Sequence, residues 1–433
     1  MRVCVVGSGG REHALADVLG RDAEVVVTPG NPGIPGSVAA PPHEIEADLF
    51  VIGPEVPLVG GLADRLRERG GLVFGPGADG AMLEGSKAWM KAVLCEAGVP
   101  TARYGAFTEE APALAFLDEM EDLFVVKTDG LAAGKGVLVT GDRSEAVDAV
   151  RGCLSGEAFG EAGRRVVIEE GLTGPELSVL AICDGGRAVP LSPAQDFKRL
   201  ADGGMGPNTG GMGAYSPVPI AGGAVVDTLM DEAVLPTLEA LRSRGIDYRG
   251  ILYCGLMFTP RGPRVLEYNV RFGDPEAQVL LPRLTSDLAD LLASAAAGSL
   301  GSAPTFDDGA AVAVVCASED YPASPRTGDP IEGLEAASDV DGVTVFRAGV
   351  GEVDGRLVTA GGRVLTGHGP GCDGRRGQGP GIRGGRHDLV ARHAPPDRHS
   401  GHRGRRRRHR LDTTQRRGGE HGSQGGDSHG ITQ

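Results

Sequence analysis

Four short apolar runs, VCVVG, EVVVT, LFVIG and GLVFG, fall within the first 100 residues, each closing on a glycine or a Thr-Pro-Gly turn. Between several of them lie stretches that read as helix, such as REHALADVL and GGLADRLRERG. Short apolar runs alternating with helical segments imply a parallel, doubly wound sheet. Ligands of such sheets bind beyond the carboxyl ends of the strands. Four loops fall there: GSGGREH, TPGNPG, GPEVPLVGG and GPGADGAMLEGSK.

The rest of the 433 residues reads differently, and that length allows several domains. In 101–180, DLFVVKTDG and GVLVTGD predict a hairpin around a glycine loop, followed by the helix SEAVDAVRGCL and the strand RRVVIEEGL. Residues 181–301 mix strands with two long helical stretches, and 302–366 are rich in strands and turns. The expected organisation is an α/β domain (1–100), two further stretches of different character (101–180 and 181–301), and a small β-rich domain (302–366). Residues 367–433 stand apart. They carry 14 Arg, no Lys, 6 acidic residues and eight of the ten histidines, a net of +8, against −23 for residues 1–366.

Composition removes several classes. Aromatics are only 4%, which argues against a base-stacking platform. No apolar run reaches the ~18 residues of a membrane span, and the opening strand has no charged leader or long apolar stretch of a signal peptide. The seven cysteines (Cys4, Cys95, Cys153, Cys183, Cys254, Cys316, Cys372) form no C-x-x-C pair and read as reduced residues of a cytoplasmic protein.

The segment KTDGLAAGKGV, Lys127–Val137, places a lysine at a strand end, then a glycine loop holding Lys135. Glycines let backbone N–H groups approach phosphate oxygens, and the lysines add charge. It is not a Walker A loop, because Gly136 and not Ser or Thr follows Gly134-Lys135. In VLEYNVRFGDPEAQ, strand alternation puts Glu267, Asn269 and Arg271 on one face and Leu266, Tyr268 and Val270 on the core face. A carboxylate beside an amide oxygen suits Mg²⁺, and an arginine beside them suits a phosphoryl group in transfer. Gln195–Pro217 is glycine-rich and reads as a long ordered loop without regular elements, a kind that is usually functional. The opening GSGGREH has Glu12 where a dinucleotide fingerprint needs its third glycine, so the turn suits a phosphate or ribose without NAD. For His13, a structural place at the helix start and a ligand contact stay equally open.

GxGGREHAL, PGNxG, GPExPLV, LEGSK, KxDGLAAGKGV, VIEE, GPNTGGMGAYSP and RFGDPExQ occur here in that order. Over about residues 1–366 the chain resembles the phosphoribosylamine–glycine ligases. The resemblance implies a multidomain α/β and α+β chain with the ATP-grasp fold, an N-terminal doubly wound domain and a C-terminal β-rich domain. It implies ATP as substrate, Mg²⁺ or Mn²⁺, and the joining of glycine to 5-phosphoribosylamine by a cytoplasmic monomer, with no membrane or nucleic-acid partner. By position in the family pattern, Lys87 and Lys127 would contact the ATP phosphates, and Gly134, Lys135 and Gly136 would form the lid loop. The strand ending in Glu169-Glu170, with Leu172, would line the adenine pocket mostly through backbone, and Glu176 would hold the ribose. Gly9, Gly10, Asn31 and Glu55 would lie on the phosphoribosylamine side. Asp196, Lys198, Asn208, Gly210 and Gly211 would contact substrate, Glu267 and Asn269 the metal. Arg271 would act on the transferred charge, and Asp274 would orient the amine.

The alternatives are a sister ATP-grasp ligase or carboxylase, an NAD-dependent oxidoreductase disfavoured by Glu12, and nucleic-acid binding through the arginine-rich tail. Family members continue after GGRVL with a strand, an alanine-rich helix and a Trp-Pro-Gly segment. The tail's abundant Gly, Arg without Lys and missing apolar period are what a GC-rich gene yields when read out of phase. Residues 367–433 are therefore expected to be frame-shifted and disordered.

Overall fold

The computed structural model describes residues 1–131, 136–156 and 164–371. β1 (Arg2–Gly7), β2 (Glu24–Pro29), β3 (Leu49–Ile52) and β4 (Val73–Phe74) form a parallel sheet in the order β2-β1-β3-β4. These are the four apolar runs of the sequence. Val3, Cys4 and Val5 are fully buried, as both faces of a covered parallel sheet require. The connections carry α1 (Gly10–Leu19), α2 (Glu55–Val59), α3 (Leu62–Glu68), α4 (Ala78–Gly85) and α5 (Lys87–Glu96).

At the carboxyl end of this sheet the space beside the first glycines is filled from within. The Glu12 carboxylate accepts from the Gly9 N–H at 2.6 Å, capping α1, and pairs with Arg11 Nε at 2.5 Å. A Cβ on Gly7 or Gly53 would fall 2.4 or 2.1 Å from Glu12 atoms. These glycines therefore make room for Glu12.

β5 (Tyr104–Phe107), β6 (Phe124–Thr128), β7 (Val137–Thr140) and β8 (Val166–Glu170) form an antiparallel sheet in the order β5-β8-β6-β7. α6 (Glu110–Leu117) and α7 (Arg143–Leu154) bury Leu117, Ala146 and Val150 against Phe124, Val126 and Ile168 of this sheet. β6 and β7 pair from Phe124↔Thr140 to Lys127↔Val137, the expected hairpin. Gly134 and Lys135 lie outside the described residues.

The chain continues through β9 (Glu176–Asp184) and β10 (Ala188–Pro190), then β11 (Gln195–Asp196), β12 (Arg199–Ala201), β13 (Met205–Asn208) and β14 (Gly213–Ser216), to β15 (Arg249–Thr259) and β16 (Gly262–Asn269). β10, β9, β15 and β16 form the central antiparallel sheet. Its Val179, Ala181, Leu252 and Cys254 share one core with Cys4, Val6, Phe50 and Ile52 of the first sheet.

The expectation that Gln195–Pro217 holds no regular element is overturned. β12 and β13 pair as a hairpin whose turn passes through Gly203 (φ 70°) and Gly204 (φ 73°), a conformation glycine adopts freely. β11 and β14 join β17 (Ala310–Ala317), β18 (Thr344–Arg347) and a later strand in a five-stranded sheet. Between β18 and that strand lies a hairpin of β19 (Val350–Val353) and β20 (Arg356–Thr359).

β21 (Arg363–Gly371) sits between β17 and β18, paired from Arg363↔Ala317 to Gly371↔Ala310. The compositional break at 367 is thus not where this strand ends, because ladder hydrogen bonds use backbone groups that any non-proline residue supplies. The tail from 372 onward lies outside the described residues. The six described cysteines are free. Among the described residues no helix is long and apolar enough to cross a membrane.

α1 meets the C-terminal sheet through His13. Its Nδ1 accepts from the Arg347 backbone N–H at 2.8 Å, and its ring stands edge-on to Phe346 at 5.7 Å. His13 therefore has a structural place. Burial, helped by the Arg347 charge, pushes its pKa down from 6.5 to about 4. The unfolded chain thus takes up a proton below pH 6.5 that the folded chain refuses until about pH 4. Stability from this group is present above 6.5 and lost as pH falls through that window. His13→Asn keeps an acceptor oxygen near the place of Nδ1 and cannot titrate. The drop in Tm from pH 7 to pH 5 should be smaller in the variant than in wild type, and equal drops would refute the argument.

Candidate active site

The strands above enclose a cleft of about 1420 Å³ between the β5–β8 sheet, the central sheet and the β11–β14 segment. A single small-molecule pocket is typically about 300–1,000 Å³, so there is room for a nucleotide and further ligands. Of the residues expected to meet ligands, Glu55, Lys87, Lys127, Gly136, Glu169, Glu170, Leu172, Glu176, Asp196, Lys198, Asn208, Gly210, Glu267, Asn269, Arg271 and Asp274 line it. Gly9, Gly10, Asn31 and Gly211 do not.

Two lysines come from different elements. Ser86 caps α5 by accepting from the Trp89 N–H at 3.1 Å, and Asp129 accepts from the Ala88 N–H at 2.7 Å and the Ser86 hydroxyl at 3.0 Å. Asp129 thereby ties the start of α5 to the loop after β6. Lys87 Nζ reaches the Gly130 carbonyl at 3.0 Å, and burial, then the nearby Lys127 charge, pushes its pKa down. Lys127 Nζ lies 2.8 Å from Glu169 Oε1 and 3.3 Å from the Leu266 carbonyl.

Glu169 is expected to offer backbone to an adenine; its side chain is buried between two ammonium groups, Lys127 and Lys91, the latter at 2.9 Å. Burial alone would raise its pKa, but the two lysines hold it low. Glu170 accepts from the Arg103 N–H at 3.0 Å and pairs with Arg261 at 2.9 Å, outward from this cluster.

On β16 the expected alternation fails at one residue. The pairing with β15 shifts register between Gly255↔Glu267 and Leu256↔Val265, so Leu266 is an extra residue. Val265 takes the core position with Tyr268 and Val270, and Leu266 lines the cleft beside Glu267 and Asn269. Among the described residues no hydrogen bond or ion pair reaches the Glu267 carboxylate. Burial would raise its pKa, yet Lys198, Lys127, Arg271 and Lys87 hold it below the usual carboxylate range.

Arg271 follows the strand. It pairs with Glu84 at 2.8 Å and Glu55 at 3.4 Å and donates to Asn269 Oδ1 at 3.3 Å. Burial opposes its charge, but Glu84 and Glu55 outweigh it and raise its pKa. Glu55 ends below its ordinary value, since Arg271 and Arg11 outweigh burial.

At the other end, Lys198 Nζ lies 2.8 Å from Asp196 and 3.2 Å from Glu176. Burial would lower its pKa, but the Tyr253 hydroxyl and these carboxylates keep it well above the ordinary value. Behind it, buried Glu276 accepts from the Tyr253 hydroxyl at 2.9 Å and the Ser178 hydroxyl at 3.3 Å, and burial followed by the Asp196 charge raises its pKa. Asp274 accepts from Arg363 at 2.9 Å and Gln278 at 2.7 Å. Burial would raise its pKa, but Arg363 and Arg11 hold it low. Arg363 also donates to the carbonyls of Gly210, at 2.5 Å, and Asp274, at 2.7 Å.

The remaining expected residues hold loops in place. Asn31 donates to the Ser8 and Ala348 carbonyls at 2.8 and 2.9 Å and accepts from the Gly33 N–H at 2.7 Å. Gly10 packs on Gln278, Gly211 (φ 107°) on Pro275, and Gly9 faces Asp274 across the cleft edge. Sequence reasoning missed Glu84, Lys91, Tyr253, Glu276 and Arg363. Lys91 carried a usable signal, standing four residues after Lys87 and so on the same helix face. Glu276 stands two residues after Asp274, inside a segment already singled out. Tyr253 and Arg363 stood in apolar strand contexts with no local cue.

Family models match three consecutive stretches. Phosphoribosylglycinamide synthetase, N domain, matches residues 1–84; its ATP-grasp (A) domain, 85–277; its C domain, 311–374. The phosphoribosylamine–glycine ligase of Caulobacter vibrioides is 48% identical over 385 residues, 84% of this chain and 90% of that one. Its counterpart in Streptomyces coelicolor is 48% identical over 393 residues, 86% and 92%. The crystal structure of the phosphoribosylamine–glycine ligase from Thermotoga maritima matches at TM-score 0.75 and 36% identity, over 86% of this chain and 93% of that chain. A biotin carboxylase domain from Hydrogenobacter thermophilus matches at TM-score 0.64 and 16% identity, over 86% of each, which speaks for the fold alone. With family models spanning most of its length and relatives nearly half identical across nine-tenths of theirs, the chain belongs to the phosphoribosylglycinamide synthetase family of ATP-grasp ligases.

Proposed function

We propose that the cleft joins glycine to 5-phosphoribosylamine at the expense of ATP, giving glycinamide ribonucleotide, ADP and phosphate. The observation that carries this reading is Glu267, a carboxylate held ionised by four surrounding cations while engaged by no described hydrogen bond. Such a group is ready for a ligand of its own. With Asn269 it offers two hard oxygen donors suited to Mg²⁺ or Mn²⁺, whose other ligands would be phosphate oxygens and water. The metal would neutralise charge on the phosphates.

Lys87 and Lys127 hold the ATP phosphates beside Gly136, Leu172 lines the base pocket, and Glu176 meets the ribose. Glycine's carboxylate attacks the γ-phosphorus, ADP departs, and glycyl phosphate results. Arg271, locked by Glu84 and Glu55, stabilises charge on the transferred group. The amine of phosphoribosylamine then attacks the acyl carbon, the carbon–oxygen bond to phosphate breaks, and the nitrogen gives up one proton. Asp274 orients that amine beside Gly9. Asp196, Lys198, Asn208 and Gly210 hold the substrates from the opposite side. No protein nucleophile is needed, because positioning and charge carry the reaction. The same reading carries the expectation of a cytoplasmic monomer.

Glu267→Ala removes a metal donor that makes no described hydrogen bond. It should lower kcat on the order of a hundred-fold or more and shift Tm by no more than about 3 °C. Wild-type turnover at limiting Mg²⁺ would refute the assignment.

Substrate choice is read by ADP release with glycine, alanine or serine, each with phosphoribosylamine. Glycine alone should give rapid release. Equal rates with all three would sink the specificity, and release with bicarbonate in place of an amino acid would favour a carboxylase.

A further inference from the structure

Lys91 is a charge the mechanism above does not use. It stands on α5 one turn after Lys87, is fully buried, and does not line the cleft. Its ammonium donates to Glu169 Oε2 at 2.9 Å and to the Thr101 hydroxyl at 2.7 Å, with the Tyr104 ring 5.6 Å away. The Thr101 hydroxyl donates in turn to the Val265 carbonyl at 2.6 Å. The second oxygen of Glu169 faces Lys127 at 2.8 Å. Two ammonium groups therefore share one carboxylate, and only Lys127 reaches the cleft.

Stability does not account for this arrangement. Replacing buried ion pairs by apolar groups of similar volume is commonly neutral or stabilising, and burial pushes the Lys91 pKa down to about 8 against the pull of Glu169. Charge does account for it. A lone Lys127–Glu169 pair has no net charge and would present a phosphate with a cation already cancelled. With Lys91 on the other oxygen the trio is net positive, and the excess is displayed where Lys127 meets the cleft.

We infer that Lys91 is a positioning residue for nucleotide binding, occupying one side of Glu169 so that the charge of Lys127 stays available to phosphate. The inference rests on the reading that Lys127 contacts the nucleotide phosphates, and Lys127→Ala tests that reading by itself.

The experiment is the Kd of MgADP, by calorimetry, for wild type, Lys127→Ala, Lys91→Met, Lys91→Arg and the double variant Lys91→Met with Glu169→Gln, alongside KM for glycine. Lys127→Ala should weaken MgADP; unchanged binding would overturn the phosphate reading and this inference with it. Given that weakening, Lys91→Met should raise Kd on the order of ten-fold and leave KM for glycine unchanged. Lys91→Arg should stay within about three-fold of wild type. The double variant should recover most of the lost affinity, because removing the Glu169 charge again leaves Lys127 uncancelled. A merely structural Lys91 would make the two buried substitutions add. Wild-type binding by Lys91→Met, or a double variant no better than the single, overturns the inference while leaving the Lys127 reading intact. If Lys91→Met does not fold, Lys91→Gln replaces it in both roles with the same expectations, since it can hydrogen-bond Glu169 and Thr101 without charge.

Discussion

A site that handles phosphoryl groups must gather cations where water is scarce, and each of those cations needs an anion close enough to hold it yet not so placed as to cancel it. The cleft meets this constraint with shared rather than private pairs. Arg271 lies between Glu84 and Glu55, Lys198 between Asp196 and Glu176, and Glu169 between Lys127 and Lys91. Glu267 takes the remainder: several cations surround it and none bonds to it. The arrangement fixes long side chains before any ligand arrives, which is what a mechanism built on positioning requires.

These groups come from distant parts of the chain, and backbone pairing brings them together. β15 runs between β9 and β16, so it carries Tyr253 beside Ser178 of one neighbour and faces Glu267 of the other. The extra residue at Leu266 turns its own side chain into the cleft and frees its carbonyl to accept from Lys127. A regular strand would have buried Leu266 and moved Val265 out of the core, breaking the Thr101↔Val265 bridge that joins the chain after α5 to the central sheet.

This explains what was legible from residues alone. The first sheet could be read because each strand is a short apolar run with its own turn, and the β6–β7 hairpin because Lys127 and Val137 flank a glycine loop. Glu267 and Asn269 could be read because they alternate within one strand. The bulge left no mark, since Leu266 is as apolar as its neighbours and only the partner strand sets the register. Nothing in VIEE shows that the Glu169 side chain meets two lysines standing 42 and 78 residues earlier in the chain. The Gln195–Pro217 segment reads as irregular because its strands are short and glycine-rich, and β14 finds its β17 partner about 100 residues later. Long-range pairing of this kind has no local signature.

The same reasoning bears on β21. Arg363, which lines the cleft, and the buried Val364, Leu365 and Thr366 precede the compositional break. Beyond it the ladder continues to Gly371, because pairing needs only backbone groups, and glycine supplies them as well as valine does. Side chains are the stricter test. His368 lies beside Phe346 at 6.1 Å, and neither of its buried ring nitrogens has a hydrogen-bond partner among the described residues. Burial pushes its pKa down to about 4, so the ring is held neutral. An unsatisfied buried polar group costs about 1–3 kcal/mol, and an apolar residue there would avoid that cost. The first large side chain after the break is thus one whose ring nitrogens the described sheet leaves unpaired.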